Sequence, residues 1–160
     1  MAVAKEGAQA LGFSLPDLAG GRRTLEELLA GGPVALAFFK VSCPTCQYTF
    51  PFLERLHQRL AGAAAQVVGV SQDVPRKTET FNREYGVNFP VLLDAEDDHY
   101  AVSSAYCITH VPTVFLIEPE GRVALVTQGF VKADLEEIAR RLGAANLFHR
   151  DERVESFRAG

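Results

Sequence analysis

Three cysteines are all that the 160 residues contain. That is too few for a disulfide-stapled scaffold, and a chain of this length can bury a core without staples. Charge of one sign is equally scarce: sixteen basic against twenty acidic side chains leave a net charge of -4, with no long block of either. The concentrated basic patch of a nucleic-acid surface is missing, which excludes DNA or RNA as the expected partner. No apolar run approaches the roughly 18 residues needed to span a bilayer. The first ten residues carry Lys5 and Glu6 and no apolar centre, so they do not read as a signal peptide. The expectation is a cytoplasmic protein as written, or an extracytoplasmic one if a signal has been removed. Internal repeats, low-complexity tracts and a second core are also absent from the pattern.

Hydrophobic residues make up 48% of the chain, which indicates a folded domain. Phe13 to Leu15 reads as a short strand and Gly20-Gly21 as a turn. Thr24 stands three residues before Glu27, the spacing of a helix-capping box, and Gly31-Gly32 stops that helix. Val34 to Phe39 is continuously apolar, the mark of a strand buried on both faces. Phe50, Leu53, Leu56 and Leu60 then recur at helical spacing, with Pro51 inside the run and Gly62 as the stop. Val67 to Val70 and Phe89 to Leu93 read as further strands, with a helix face at Phe81 and Tyr85 between them. Asp97 and Asp98 are candidate caps of a helix reaching Tyr106. Val114 to Ile117 and Val123 to Val126 flank Glu118-Pro119-Glu120-Gly121, a hairpin signal. Leu135, Ile138 and Leu142 mark a last helix that begins near Asp134 and ends at Gly143. This alternation implies an α/β sandwich around a mixed sheet. The domain is expected to span residues 1–143, with 144–160 a polar mobile tail or loosely docked helix.

Two of the cysteines, Cys43 and Cys46, form a CxxC pair directly after the buried run, where the pattern changes from strand to helix. A sulfur at a helix start faces unpaired N–H groups and the positive end of the helix dipole, which favour the attacking thiolate. Cys46, one turn inward, is the more buried. On this reading Cys43 attacks a substrate disulfide and Cys46 resolves the mixed disulfide, with no metal or cofactor beyond the redox-active pair. Two alternatives stay open. Cys43 and Cys46 could join Cys107 and His110 in a Cys₃His zinc set, or the pair could be buried structural cysteines. Cys107 is expected to be buried as a small apolar residue.

Three stretches together resemble the thioredoxin superfamily, and more closely its TlpA/ResA-like thiol-disulfide oxidoreductases and related AhpC/TSA-type redoxins. They are "FFKVSCPTCQYTFPFLERL", "YCITHVPTVFLIEPEGRV" and "TQGFVKADLEEIA". "GFSLPDLAGGRRTLEELLAGGPVALAFF" is similar to the N-terminal strand-turn extension of these domains, and the likeness runs from about Gly12 to Gly143. The resemblance implies a thioredoxin-like three-layer α/β/α sandwich and a role in cell redox homeostasis. It implies a cis Pro112, and a groove lined by Pro44, Thr45, Val111, Pro112 and Gly129 that receives an extended substrate segment. The implied partners are protein or small-molecule disulfides and dithiols, with an upstream reductant or oxidant.

The departures from the family pattern are specific. Ala37 stands where thioredoxins bury an acid, Thr49 where TlpA/ResA-like proteins often carry Glu, and Ser42 where a tryptophan often precedes the first cysteine. Lys40 and His110 remain as candidate modulators of the thiols. "CPT" after a Phe-Phe strand also resembles peroxiredoxins, whose reactive Cys follows a Thr or Ser three residues earlier and a Pro seven earlier. Those places hold Lys40 and Leu36 here. A thiol peroxidase using Cys43 and a redox-inactive binding module are therefore the other readings.

Overall fold

The computed structural model describes residues 5–160. Its centre is the apolar run itself, strand β3 (Val34–Phe39), every residue of which is fully buried. β3 lies parallel to β4 (Gln66–Ser71) and antiparallel to β6 (Thr113–Ile117). With β5 (Val91–Leu93) and β7 (Val123–Gln128) outside these, the sheet order is β5-β4-β3-β6-β7. A two-stranded ribbon of β1 (Ser14–Pro16) and β2 (Arg22–Thr24) precedes it.

The strand period of two sorts β3 into two cores. Ala35, Ala37 and Phe39 face helix α2 (Pro44–Arg59), through Phe50, Leu53 and Leu56, and helix α5 (Lys132–Leu142), through Leu135 and Ile138. Phe81 of helix α3 (Pro75–Tyr85) joins that side. Val34, Leu36 and Phe38 face the opposite layer, made by α1 (Leu25–Ala30), α4 (Ala101–Ala105) and Tyr106. The sheet is covered on both faces, the three-layer sandwich that the continuous apolar run requires. Gly69 fits this packing because a Cβ there would meet Phe39, Phe89 and Val91 side-chain atoms, each at 3.3 Å.

Local signals are met where they were strongest. Thr24 caps α1, its Oγ1 accepting from Glu27 N at 3.1 Å and donating to Glu27 Oε1 at 3.0 Å. The cap expected before Tyr106 is different. Asp97 and Asp98 lie in a 3₁₀ turn (Glu96–Asp98), and the fully buried Asp94 accepts from Val102 N and Ser103 N instead. Two orphan donors at the start of α4 are thus met by a carboxylate from the end of β5.

Residues 144–160 form no helix, and their first part is packed into the core. Leu147 is fully buried, and Phe148 packs edge-on against Phe52 with ring centroids 5.0 Å apart. Arg55 holds the segment from α2, donating to both carboxylate oxygens of Glu152 at 2.7 and 2.8 Å. Beyond this anchor, β9 (Phe157–Arg158) pairs antiparallel with β8 (Phe130–Val131). Ala144, Leu147 and Phe148 of this segment join the core formed by α2 and α5, with Val154 packed against it.

Candidate active site

The site lies where β3 hands over to α2. Cys43 is the N-cap of that helix, in extended backbone at φ -82, and Pro44 takes the first helical position, which needs no N–H partner. Cys46 N donates to Cys43 Sγ at 3.1 Å, so the half-buried sulfur replaces the usual capping oxygen. From the other side Cys43 Sγ donates to the carbonyl of Val111 at 3.4 Å. Cys46 lies behind it and is fully buried. The Cys46 thiol is pushed far above its ordinary value, first by burial and then by its hydrogen bond with Cys43 and the charges of Cys43 and Asp73. The backbone N–H of Lys40 opposes the shift.

The Val111–Pro112 peptide bond is cis. Its loop is tied on both sides: Thr113 Oγ1 donates to the His110 carbonyl at 2.6 Å, and Gly129 N donates to the Pro112 carbonyl at 2.8 Å. Of this loop Val111 touches Cys43 directly, while Pro112 and Gly129 are bonded to each other; Thr45 is buried in the first turn of α2, and Pro44 is exposed at its start. Lys40 is exposed at the end of β3. His110 is exposed as well, its Nδ1 paired with Thr109 Oγ1 at 2.9 Å. The two family acid positions hold no carboxylate: Ala37 is sealed in the sheet, and buried Thr49 donates to the Thr45 carbonyl at 2.7 Å.

Asp73 was not anticipated from the sequence. Its Oδ2 accepts from Val41 N at 2.8 Å, and Gln47 Nε2 donates to the Val41 carbonyl at 2.9 Å. Together they hold the turn that presents Cys43. The signal was available in principle, since Asp73 follows β4 and Cys43 follows β3, two parallel strands whose carboxyl ends share one edge.

Cys107 departs from expectation. It is exposed, in left-handed backbone at φ 57 just past α4, which turns the side chain outward. Among the described residues no three His, Cys, Asp or Glu side chains form a group able to hold a metal, so the Cys₃His arrangement is not assembled.

The AhpC/TSA family model matches residues 7–126. The chain belongs to the AhpC/TSA family. Within the AhpC/TSA family it is similar to the thiol-disulfide oxidoreductase ResA of Bacillus subtilis, with 35% identity over 78% of this chain and 68% of that protein. A solved structure from Chlorobium tepidum, assigned as the thiol:disulfide interchange protein DsbE, shares 27% identity. It superimposes with a TM-score of 0.75 over 86% of this chain and 95% of that one. The peroxidoxin BcpB of Mycobacterium tuberculosis is also similar, at 26% identity and a TM-score of 0.70, over 86% and 93% of the two chains. The fold is thioredoxin-like, and the enzymatic class is thiol-disulfide oxidoreductase. Among the described residues no helix is long and apolar enough to cross a membrane.

Proposed function

We propose that this AhpC/TSA-family protein exchanges disulfides through Cys43 and Cys46, with Cys43 attacking and Cys46 resolving. The observation that carries this reading is the asymmetry of the pair: Cys43 is half-buried at the helix start, and Cys46 is sealed behind it. The Cys43 thiolate attacks one sulfur of a substrate disulfide, and the other sulfur leaves as a thiolate. A mixed disulfide now joins Cys43 to the substrate. The Cys46 thiolate then attacks Cys43 Sγ, releasing the second substrate thiolate and closing the Cys43–Cys46 disulfide. Two electrons have passed to the substrate, and a dithiol reductant restores the pair; the reverse direction makes the protein an oxidant.

Pro44, Thr45, Val111, Pro112 and Gly129 form the groove for the substrate segment. The exposed side chains of Lys40 and His110 stand at its margins, where they tune charge. The peroxidase reading finds less support, because the place of the peroxide-orienting hydroxyl holds Lys40, which has no acceptor.

The test is differential labelling and trapping. In the reduced protein Cys43 alkylates at least about tenfold faster than Cys46 at neutral pH, since only the thiolate reacts. Cys46→Ser accumulates a mixed disulfide through Cys43. Trapping through Cys46 in Cys43→Ser, with none through Cys43, reverses the roles.

A further inference from the structure

The groove described above is occupied by the protein itself. Residues 156–160 run back across it: Lys132 N donates to the Ser156 carbonyl at 3.0 Å, and β9 pairs with β8 in the register Phe130↔Arg158 and Val131↔Phe157. Thr45 Oγ1 donates to the Ala159 carbonyl at 2.6 Å. The approach is close enough to forbid side chains on either backbone. A Cβ on Gly129 would lie 2.5 Å from the Arg158 carbonyl oxygen, and one on Gly160 would lie 2.6 Å from the Val111 carbonyl oxygen. That Val111 oxygen is the same atom that accepts from Cys43 Sγ. Thr45, Val111 and Gly129, three of the five groove residues, therefore already face an extended segment. It lies outside residues 7–126, the stretch that the family model matches.

The segment has a firm root and a weak tip. Leu147 and Phe148 are buried, and Arg55 clamps Glu152. At the tip Phe157 is 60% exposed, and β9 is only two residues long. The tip is held by main-chain pairing, the Thr45 bond and Arg158, whose guanidinium lies 4.7 Å from the Tyr48 ring centroid. Contacts this few and this exposed belong to the part of a fold that opens locally while the rest stays folded.

We propose that residues 156–160 are a self-docked stand-in for the extended segment of a polypeptide substrate, released from the groove when such a substrate docks beside Cys43. This rests on the disulfide-exchange reading for the identity of the groove. The consequence is selection by shape. A polypeptide disulfide must displace the tip before its backbone can pair with Val111 and Gly129, whereas a small disulfide needs only the half-buried sulfur. The apparent affinity for polypeptide is reduced by the fraction of molecules whose groove is open.

The test uses the full chain carrying Cys46→Ser, so that reaction stops at the mixed disulfide. Two probes are compared: 2,2′-dithiodipyridine, and a six-residue extended peptide whose cysteine is activated as a thiopyridyl disulfide. Arg158→Pro removes a backbone donor and the Tyr48 contact from the tip. It is expected to raise the peptide rate about tenfold and leave the small-reagent rate within about twofold, as freeing a mostly closed groove requires. Arg158→Ala, which keeps the backbone donor, gives a smaller rise of the same kind. Hydrogen exchange at residues 156–160 is expected to quicken when wild-type tail sequence is held in the peptide mixed disulfide. An unchanged peptide rate in both variants overturns the proposal. So does an equal rise for both probes, which makes the tip a simple shield, and so does retained protection in the trapped complex. Turnover of insulin disulfides by the wild type is measured separately. Failure there with the selective peptide response intact sinks the exchange reading alone, and turnover without that response sinks the stand-in alone.

Discussion

The hydroxyl of Thr45 and the carbonyl of Ala159 meet at 2.6 Å although 114 positions separate them in the chain. Thr45 belongs to the first turn of the helix that bears Cys43, so the segment 156–160 is bonded to the reactive element itself. Thr45→Val keeps the shape and removes the donor, a loss worth about 0.5–1.5 kcal/mol. Faster amide exchange at residues 157–160, with the exchange of β3 unchanged, is the expected result. Unaltered protection at the tip would mean that the β8–β9 pairing alone holds it.

In the proposed mechanism, resolution of the mixed disulfide depends on pH through Cys46. Burial, Cys43 and the charge of Asp73 all hold that thiol above its ordinary value. The thiolate is therefore scarce at neutral pH, and stopped-flow decay of the mixed disulfide should accelerate as pH rises, with no plateau near neutrality. Asp73→Asn removes one repulsive charge while leaving an oxygen to accept from Val41 N. The profile should move to lower pH. A slower decay in that variant would instead identify Asp73 as the proton acceptor, and a fast, flat wild-type profile would show that a base is already in place.

Hydrogen peroxide is expected to be a poor substrate. Leu36 and Lys40 occupy the places where peroxiredoxins keep their proline and hydroxyl, and Leu36 is fully buried in β3. Competition kinetics should give a second-order constant near that of an ordinary cysteine thiolate. A constant orders of magnitude higher would make peroxide reduction the main activity.

Acid should loosen the root of the terminal segment. The Arg55 guanidinium holds the Glu152 carboxyl down to about 2, against an ordinary 4.5. A group depressed in the folded state contributes stability above its unfolded value, and that contribution is lost as pH falls through the folded one. The window is thus from about pH 4.5 down to about pH 2. Thermal midpoints of Glu152→Gln should fall less steeply than wild type across it. Parallel curves for the two proteins would show that the pair contributes nothing to stability.

Much of the fold was legible because its signals are local. Val34 to Phe39 declares a doubly buried strand by composition alone, and Phe50, Leu53 and Leu56 declare a helix face by period. The position of Cys43 between them follows from those two neighbours, so the CxxC pair could be placed at a helix start before any contact was known. Glu118-Pro119-Glu120-Gly121 closes a hairpin through turn chemistry that needs no distant partner.

What escaped the sequence depends on contacts whose partners are far apart in the chain. Asp73 braces the Cys43 turn from 32 positions away, only because β3 and β4 run parallel. The terminal stretch is the extreme case. Leu147 and Phe148 show no period, and β9 is a strand solely through its pairing with β8. The amino-acid order by itself determined the central strand, the helix that follows it, the two layers flanking β3 and the place of the thiols, since propensity and periodicity act over a few residues. Only the tertiary structure decided that the 157–160 backbone lies across Thr45 and Val111, because a contact spanning 114 positions leaves no periodic trace in either partner.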